Sequence, residues 1–399
     1  MKTILILNTN KMSAMTLLRE RTDYNFIYIV EKVYENLHTE IQNCVFVSDI
    51  GSFDIIKKTV SQLVKEYAVE NIIPLHEKSV LPAAMIRSIF NFPGMKFDEA
   101  NCFVNKLKMK QLFSQTSLPC ANSIGMVGDA KHYLEKLSTK KVIKPIYGAS
   151  SIGTMIIDPD CTEELYSGLK MIHSTEESFI IEDYLDVKNE YHCDSIFINR
   201  QVVFLSIAQY FNPVLAFKNK NLVGSYLIDS THNHYEKLHD LNERCLRNMP
   251  AFNHITHLEI LETDAGFYIG EVACRPAGAG IPKTIEYAYG VNLWEAYLNL
   301  HINSGYNTAP VYDNSFQAIH GWLIIPADTG RVVSLIQPEE LVNIAGVREV
   351  ETHVKIDDVV VPPIHSCLGI YTIYFECVSF EAMQNLCKDI NRVFYVNYG

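Results

Sequence analysis

Two glutamates, Glu259 and Glu271, lie on alternating apolar runs separated by Thr263-Asp264-Ala265-Gly266. In His257-Leu258-Glu259-Ile260-Leu261-Glu262 the period of two puts His257, Glu259 and Leu261 on one strand face. In Tyr268 to Arg275 it puts Glu271, Ala273 and Arg275 on one face. The turn residues at 263–266 predict a hairpin, and the two glutamates lie symmetrically about it, so they are expected side by side. Facing carboxylates repel unless a cation lies between them. An all-oxygen donor pair suits Mg²⁺ held jointly with phosphate groups. Arg275 would add a positive group for phosphate or carboxylate. Taken alone, the hairpin could equally be a solvated strand face.

A second feature is Lys141-Val142-Ile143-Lys144-Pro145, followed by Ile146-Tyr147-Gly148-Ala149-Ser150-Ser151-Ile152-Gly153. Small residues let backbone N–H groups approach a phosphate, and a serine hydroxyl adds a donor. No GK[ST] follows, so this is not a Walker A loop. Lys144 in an apolar strand needs a partner for its charge, and a nucleotide phosphate would provide one. A tight turn between strands is the plainer reading of the loop by itself.

The elements that must position these groups can be read coarsely. Apolar runs at 4–7, 26–30 and 44–47 read as buried strands, with a shorter run at 71–74 and helical patterns near 13–21 and 54–68. Strands alternating with helices predict a parallel, doubly wound sheet. The first strand ends Leu7-Asn8-Thr9-Asn10 without GxGxxG, which argues against an ordinary nicotinamide enzyme. A helix is expected over 103–116, carrying Lys106, Lys108 and Lys110. Strands follow at 141–145 and 179–182, more strands over 192–230, a helix near 235–248, and strands plus a helix near 379–394 after Gln317.

Composition bounds the partners. The chain of 399 residues has 34 Lys+Arg and 46 Asp+Glu, a net charge of −12, which speaks against a nucleic-acid surface. Its 10 cysteines contain no CxxC pair and read as buried apolar residues in a reducing compartment. No run of 18 uncharged apolar residues occurs and the N-terminus lacks a signal-peptide pattern, so a cytoplasmic protein with no membrane span is expected. His232 and His234 have no evident third metal ligand, and Lys218 and Lys220 read as a solvated loop.

Together and in order, these motifs resemble the ATP-grasp superfamily, in its carboxylate–amine ligase branch, and within it the L-amino acid ligases. The resemblance runs through Ile72-Ile73-Pro74-Leu75-His76-Glu77-Lys78-Ser79, Asn105-Lys106-Leu107-Lys108-Met109, Val142-Ile143-Lys144-Pro145, Ser151-Ile152-Gly153, Ile181-Glu182-Asp183-Tyr184-Leu185 with Glu190, Glu271-Val272-Ala273-Cys274-Arg275, and Gly321-Trp322-Leu323-Ile324-Ile325-Pro326 with Gly330-Arg331-Val332. It implies an α/β fold, α+β in the ATP-grasp part. A Rossmann-like domain would span 1–98 and a lid subdomain 99–185. An antiparallel-sheet C-terminal domain would span 186–399, with a terminal subdomain near 315–399.

The implied ligands are ATP and Mg²⁺, with Mn²⁺ as an alternative. Lys106 and Lys144 would hold the phosphates, with Ser151 and Gly153 in the loop that closes over them. Glu182, Asp183, Tyr184 and Leu185 would line the adenine pocket, and Glu190 would bind the ribose. Glu259 and Glu271 would hold metal, and Arg275 the transferred phosphoryl group. His257 is the candidate general base. Where many relatives carry Asn two residues after the second metal-binding Glu, this chain has Ala273, which puts a second metal in doubt. The loop from Arg275 to Gly280 is expected beside the acyl substrate. The expected substrates are a small carboxylate and an amine, both amino acids, and a homodimer fits the resemblance. Two other readings stay open at this level: a ligase for non-amino-acid substrates in natural-product synthesis, and a nucleotide-binding protein that has lost catalysis.

Overall fold

The structure is a computed structural model that describes residues 2–39, 41–126, 137–148, 152–173, 178–215, 223–250, 253–302, 316–361 and 369–399. The N-terminal strands are β1 (Thr3–Asn8), β2 (Asn25–Glu31), β3 (Cys44–Val47) and β4 (Val69–Pro74). They form a parallel sheet in the order β3-β2-β1-β4. Every residue of β1 is buried, as a central parallel strand covered on both faces requires. The helices α1 (Met12–Arg19), α2 (Phe53–Glu66) and α3 (Glu77–Phe90) flank it; the first two lie close to where the apolar periodicity places them, and α3 is an element that reading did not include. The strand order reverses between β1 and β4, and a crevice is expected outside the carboxyl ends of strands at such a point. His76 and Glu77 lie at the carboxyl end of β4.

The single helix expected over 103–116 is instead two, α4 (Phe97–Val104) and α5 (Lys106–Gln115). Asn105 breaks them with extended backbone (φ −85°, ψ 103°), and its side chain accepts the Lys108 N–H at 3.0 Å as an N-cap. The break frees the Lys106 N–H to donate to the Ile146 carbonyl at 3.1 Å, which ties the start of α5 to the small-residue loop.

Next comes a four-stranded antiparallel sheet of β5 (Ser123–Met126), β6 (Lys141–Pro145), β7 (Met155–Ile157) and β8 (Phe179–Asp183), in the order β5-β8-β6-β7. A larger antiparallel sheet contains β9 (Asn189–Ile198), β10 (Gln201–Tyr210), β11 (Val223–Ile228), β12 (His254–Thr263) and β13 (Gly266–Ala273). Beyond these lie β14 (Ile319–Ile325), β15 (Gly330–Leu335), β16 (Val347–Thr352), β17 (Val359–Val360), β18 (Tyr371–Cys377) and β19 (Val396–Tyr398). The order of the large sheet is β13-β12-β9-β10-β11-β14-β18-β16, so the C-terminal segment extends the same sheet through β11 and β14. Strands β15, β17 and β19 form a small separate sheet.

The large sheet has two unlike faces. On one, Tyr191, Cys193, Phe197, Leu258 and Ile260 are buried in a core with Leu238, Leu241 and Cys245 of the helix Tyr235–Asn248 and with Phe103, Met109 and Phe113 of α4 and α5. The other is polar at Glu190, His192 and Asp194. It turns apolar further along β9, where Ile196 and Ile198 join a core with Trp294, Tyr297 and the N-terminal sheet. The polar stretch of that face holds the candidate site.

Candidate active site

The hairpin of β12 and β13 closes tightly, with Thr263 opposite Gly266 and Ile260 opposite Ile269. Continued without a break, that register would place Glu259 against Gly270 and turn Glu271 to the other face. The register shifts between Leu258 and Ile260, after which Leu258 faces Val272 and His257 faces Ala273. One extra residue on β13 is thus absorbed in a bulge, and Glu271 comes to the Glu259 face. A Cβ added at Gly270 would stand 3.3 Å from the Glu259 carbonyl oxygen, so glycine suits this close approach. The symmetry read from the sequence is reached, but by a tight turn plus a bulge rather than by a symmetric turn.

On the other side of β12, Leu261 is opposite Glu190, Glu259 opposite His192, and His257 opposite Asp194. Three adjacent strands therefore bring Glu190, Glu259 and Glu271 to one region. Burial first, and then the charge of Glu259, pushes the Glu190 carboxyl well above the ordinary carboxylate range. Glu190 accepts the Val214 N–H at 2.7 Å. Crowded carboxylates that offer only oxygen donors fit a hard divalent cation.

The cations come from the neighbouring elements, and each is already paired. Lys106 Nζ lies 3.1 Å from Glu271 and donates to the Gly148 carbonyl at 2.7 Å. Lys144 Nζ lies 2.9 Å from Glu182. Burial would raise the Glu271 carboxyl, but Lys106 and Lys144 outweigh it and hold Glu271 low. Burial would likewise lower the Lys144 ammonium, but Glu182 and Glu271 keep it raised. Arg275 Nε donates to Glu77 at 2.6 Å, and its Nη1 to the Pro276 carbonyl at 2.9 Å. Glu77 opens α3, so the N-terminal part of the chain supplies the counter-charge of Arg275. Beside them His76 accepts the Lys78 N–H; burial, then Lys11, Arg275 and Lys78, hold its imidazole down to about 3.

Sequence reasoning missed two partners here. Lys110 is buried and donates to the Ile269 carbonyl at 3.0 Å, 3.6 Å from Glu182. Glu182 thus stands between two lysines, and its side chain anchors the Lys144 ammonium rather than facing solvent. The i, i+4 spacing of Lys106 and Lys110 on a short helix was the available signal. Glu77 carried no local signal at all.

Of the loop after Pro145, Gly153 is described and Ser151 lies outside the described residues. Gly153 has φ +71°, and a Cβ there would approach Pro145 Cγ to 2.9 Å, so the position requires glycine. Asp183 pairs with Lys141 at 2.5 Å and accepts from Asn122 at 2.9 Å. Asp183, Tyr184 and Leu185 border a cleft of about 540 Å³ with Asn122 and Tyr268.

His257 Nδ1 lies 3.0 Å from Asp194 Oδ1, and its Nε2 lies 3.6 Å from Glu259 Oε1. Burial alone would lower its imidazolium, but Asp194 and then Glu259 raise it to about 10. Both ring nitrogens of His257 thus face carboxylates, Asp194 on one side and Glu259 on the other. His234 Nε2 lies 3.2 Å from Glu262 on the opposite face of the sheet from Glu259. Lys218 and Lys220 lie outside the described residues.

No family model matches the chain. It is 27% identical to an L-arginine-specific L-amino acid ligase of Bacillus subtilis, over 99% of this chain and 97% of that protein. Among solved structures it is similar to an L-amino acid ligase from Bacillus licheniformis, with TM-score 0.79 at 16% identity over 100% of this chain and 99% of that one. It is also similar to a carboxyaminoimidazole ribonucleotide synthase from Aspergillus clavatus complexed with ATP, with TM-score 0.74 at 12% identity over 98% of each chain.

Proposed function

We propose, from the ATP-grasp fold that this chain carries, that it is an ATP-dependent carboxylate–amine ligase that joins two amino acids. One observation carries the reading: Glu190, Glu259 and Glu271 come from three adjacent strands to one region, where Lys106 pairs with Glu271 and Lys144, paired with Glu182, also feels the charges of Glu271 and Glu259. The full-length likeness to an amino acid ligase supports the choice of substrates.

In this reading ATP lies between the four-stranded sheet and the large sheet, with its base near Glu182 to Leu185 and its ribose at Glu190. Lys106 and Lys144 exchange their internal carboxylates for phosphate oxygens. Glu259 and Glu271 would hold Mg²⁺, which neutralises charge on the phosphates. The substrate carboxylate attacks the γ-phosphorus, giving an acyl phosphate and ADP. The amine then displaces phosphate to form the amide. Arg275, oriented by Glu77, stabilises the phosphoryl oxygens, since charge that develops on them needs preplaced positive groups. The loop from Arg275 to Gly280 borders the acyl substrate; a Cβ at Gly278 would meet nothing within 4 Å, so a bulky residue there would project into open space. We place the protein in the cytoplasm, because all described cysteines are free and no described helix is long and apolar enough to cross a membrane.

The test is ADP and phosphate release with a panel of amino acids, with mass spectrometry of the products. Release that requires two amino acids and yields their dipeptide is expected. Release with other carboxylates or amines alone would redirect the substrate assignment. ATP binding without release on any panel would leave the non-catalytic reading, which Ala273 alone favours.

A further inference from the structure

Four residues on the polar face form a checkerboard. Along β9 stand His192 and Asp194; along β12, antiparallel to it, stand Glu259 and His257. Each histidine has an acid across the strand pair and an acid two residues along its own strand. His192 Nδ1 lies 2.6 Å from Asp194 Oδ2, and His257 Nδ1 lies 3.0 Å from Asp194 Oδ1. The thread continues away from Glu259: His192 Nε2 lies 2.8 Å from Ser225 Oγ, which accepts the Trp322 Nε1–H at 2.9 Å. It therefore draws on β12, β9, β11 and β14 and passes over β10. Asp194 is 0% and His192 1% exposed.

A buried carboxylate and imidazole cost several kcal/mol unless every polar atom is met, and apolar residues would serve packing better. The opposite face of the same strands makes that choice at Tyr191, Cys193, Leu258 and Ile260. The cluster is also unlike a metal centre. His192, Asp194 and His257 offer donor atoms within 4.8 Å of one another. Tetrahedral ligands at about 2.1 Å from an ion stand more than ~3 Å apart. The 2.6 Å between His192 Nδ1 and Asp194 Oδ2 is a hydrogen-bond distance.

We propose that His192 and Asp194 are positioning residues that hold His257 against Glu259 and thereby set the orientation of that carboxylate toward its cation. This rests on the assignment of Glu259 to metal. Asp194 uses both oxygens on the two rings, so neither ring can rotate without leaving a buried charge unmet. His257 then stands fixed beside Glu259, and the far end of the thread is clamped by Trp322. That indole is itself held tightly: a Cβ added at Gly280 would lie 2.5 Å from Trp322 Cγ.

The test is Mn²⁺ titration of the full chain, with and without ADP, followed by the electron paramagnetic resonance signal of free Mn²⁺. Asp194→Asn keeps the shape but turns an amide N–H₂ toward one ring. It is expected to weaken Mn²⁺ binding with ADP about tenfold or more, with the affinity for metal-free ADP unchanged. Raising Mg²⁺ is expected to restore its turnover, which a merely structural role would not produce. Ser225→Ala, one link beyond His192, is expected to act in the same direction and more weakly, and it carries the test if Asp194→Asn does not fold. If Glu259→Gln weakens Mn²⁺ binding while Asp194→Asn and Ser225→Ala leave it unchanged, the positioning role is overturned. If Glu259→Gln itself leaves it unchanged, the metal assignment beneath it fails instead.

Discussion

His254 and His257 stand three residues apart on β12 and project to opposite faces of one sheet. His254 sits against Phe103 and Phe197, with ring centroids 5.3 and 5.0 Å away, and burial pushes its imidazole down to about 3. His257 meets two carboxylates and is raised to about 10 despite its own burial. Residue type and strand are the same; the face decides the charge. One face of β9 and β12 stabilises the fold by removing apolar area from water. The other holds charges in internal pairs, and such pairs can be exchanged for a ligand's charges.

That division can be broken most forcefully on the polar face. Glu271→Gln is expected to lower amino-acid-dependent ADP release by about 10²–10³-fold, while the thermal melt stays close to that of the parent chain. A matching loss of stability would mean that the face is structural. The apolar face should answer in the opposite way. Ile260→Ala removes a fully buried side chain and is expected to cost about 2–5 kcal/mol in denaturant unfolding, with nucleotide affinity unchanged.

The two histidines give the comparison in pH. His254 is held neutral in the folded chain, so the unfolded chain takes up its proton first. Stability should fall as pH drops below about 6.5 toward 3. His257 is held charged, so its contribution is complete below about 6.5 and is lost as pH rises toward 10. Melts across this range should show His254→Leu flattening the acid limb only, and His257→Gln the alkaline limb only. An acid limb unchanged by His254→Leu would remove the contrast. The smallest effect belongs to the solvent side of the helix over the apolar face. There the exposed Asp240–Arg244 pair should contribute less than about 0.5 kcal/mol, as a double-mutant cycle would measure.

Much of this was legible in the sequence. The buried runs near β1 to β4, the helix at 235–248 and the hairpin around 263–266 follow from periodicity and turn residues, both of which are local. Lys144, Glu259 and Glu271 could be singled out because charge in an apolar alternation is costly and asks for a reason, whereas Lys106 stood out only through the family resemblance. The break at Asn105 was not read although its cap is local; what no local pattern carries is the tie from the freed Lys106 N–H to Ile146, far along the chain. Glu77 and Lys110 were missed for the same reason, since their partners Arg275 and Glu182 are distant in sequence. His192 and Asp194 did carry a signal, a polar alternation inside a strand-like run, but it means little until β12 is seen beside β9.

The bulge at Gly270 has an arithmetic consequence. Directly opposed residues in a two-residue hairpin are separated by an odd number of positions, whereas Glu259 and Glu271 are separated by an even one. Their partnership therefore depends on parity, which one inserted or deleted residue anywhere between them would reverse. Such a change would leave a well-formed ribbon with its second acid turned to the wrong side. Related chains that keep both acids but change the loop between them should do so by even steps, and a gap of one in an alignment of this hairpin would mark either a compensating bulge or a lost site.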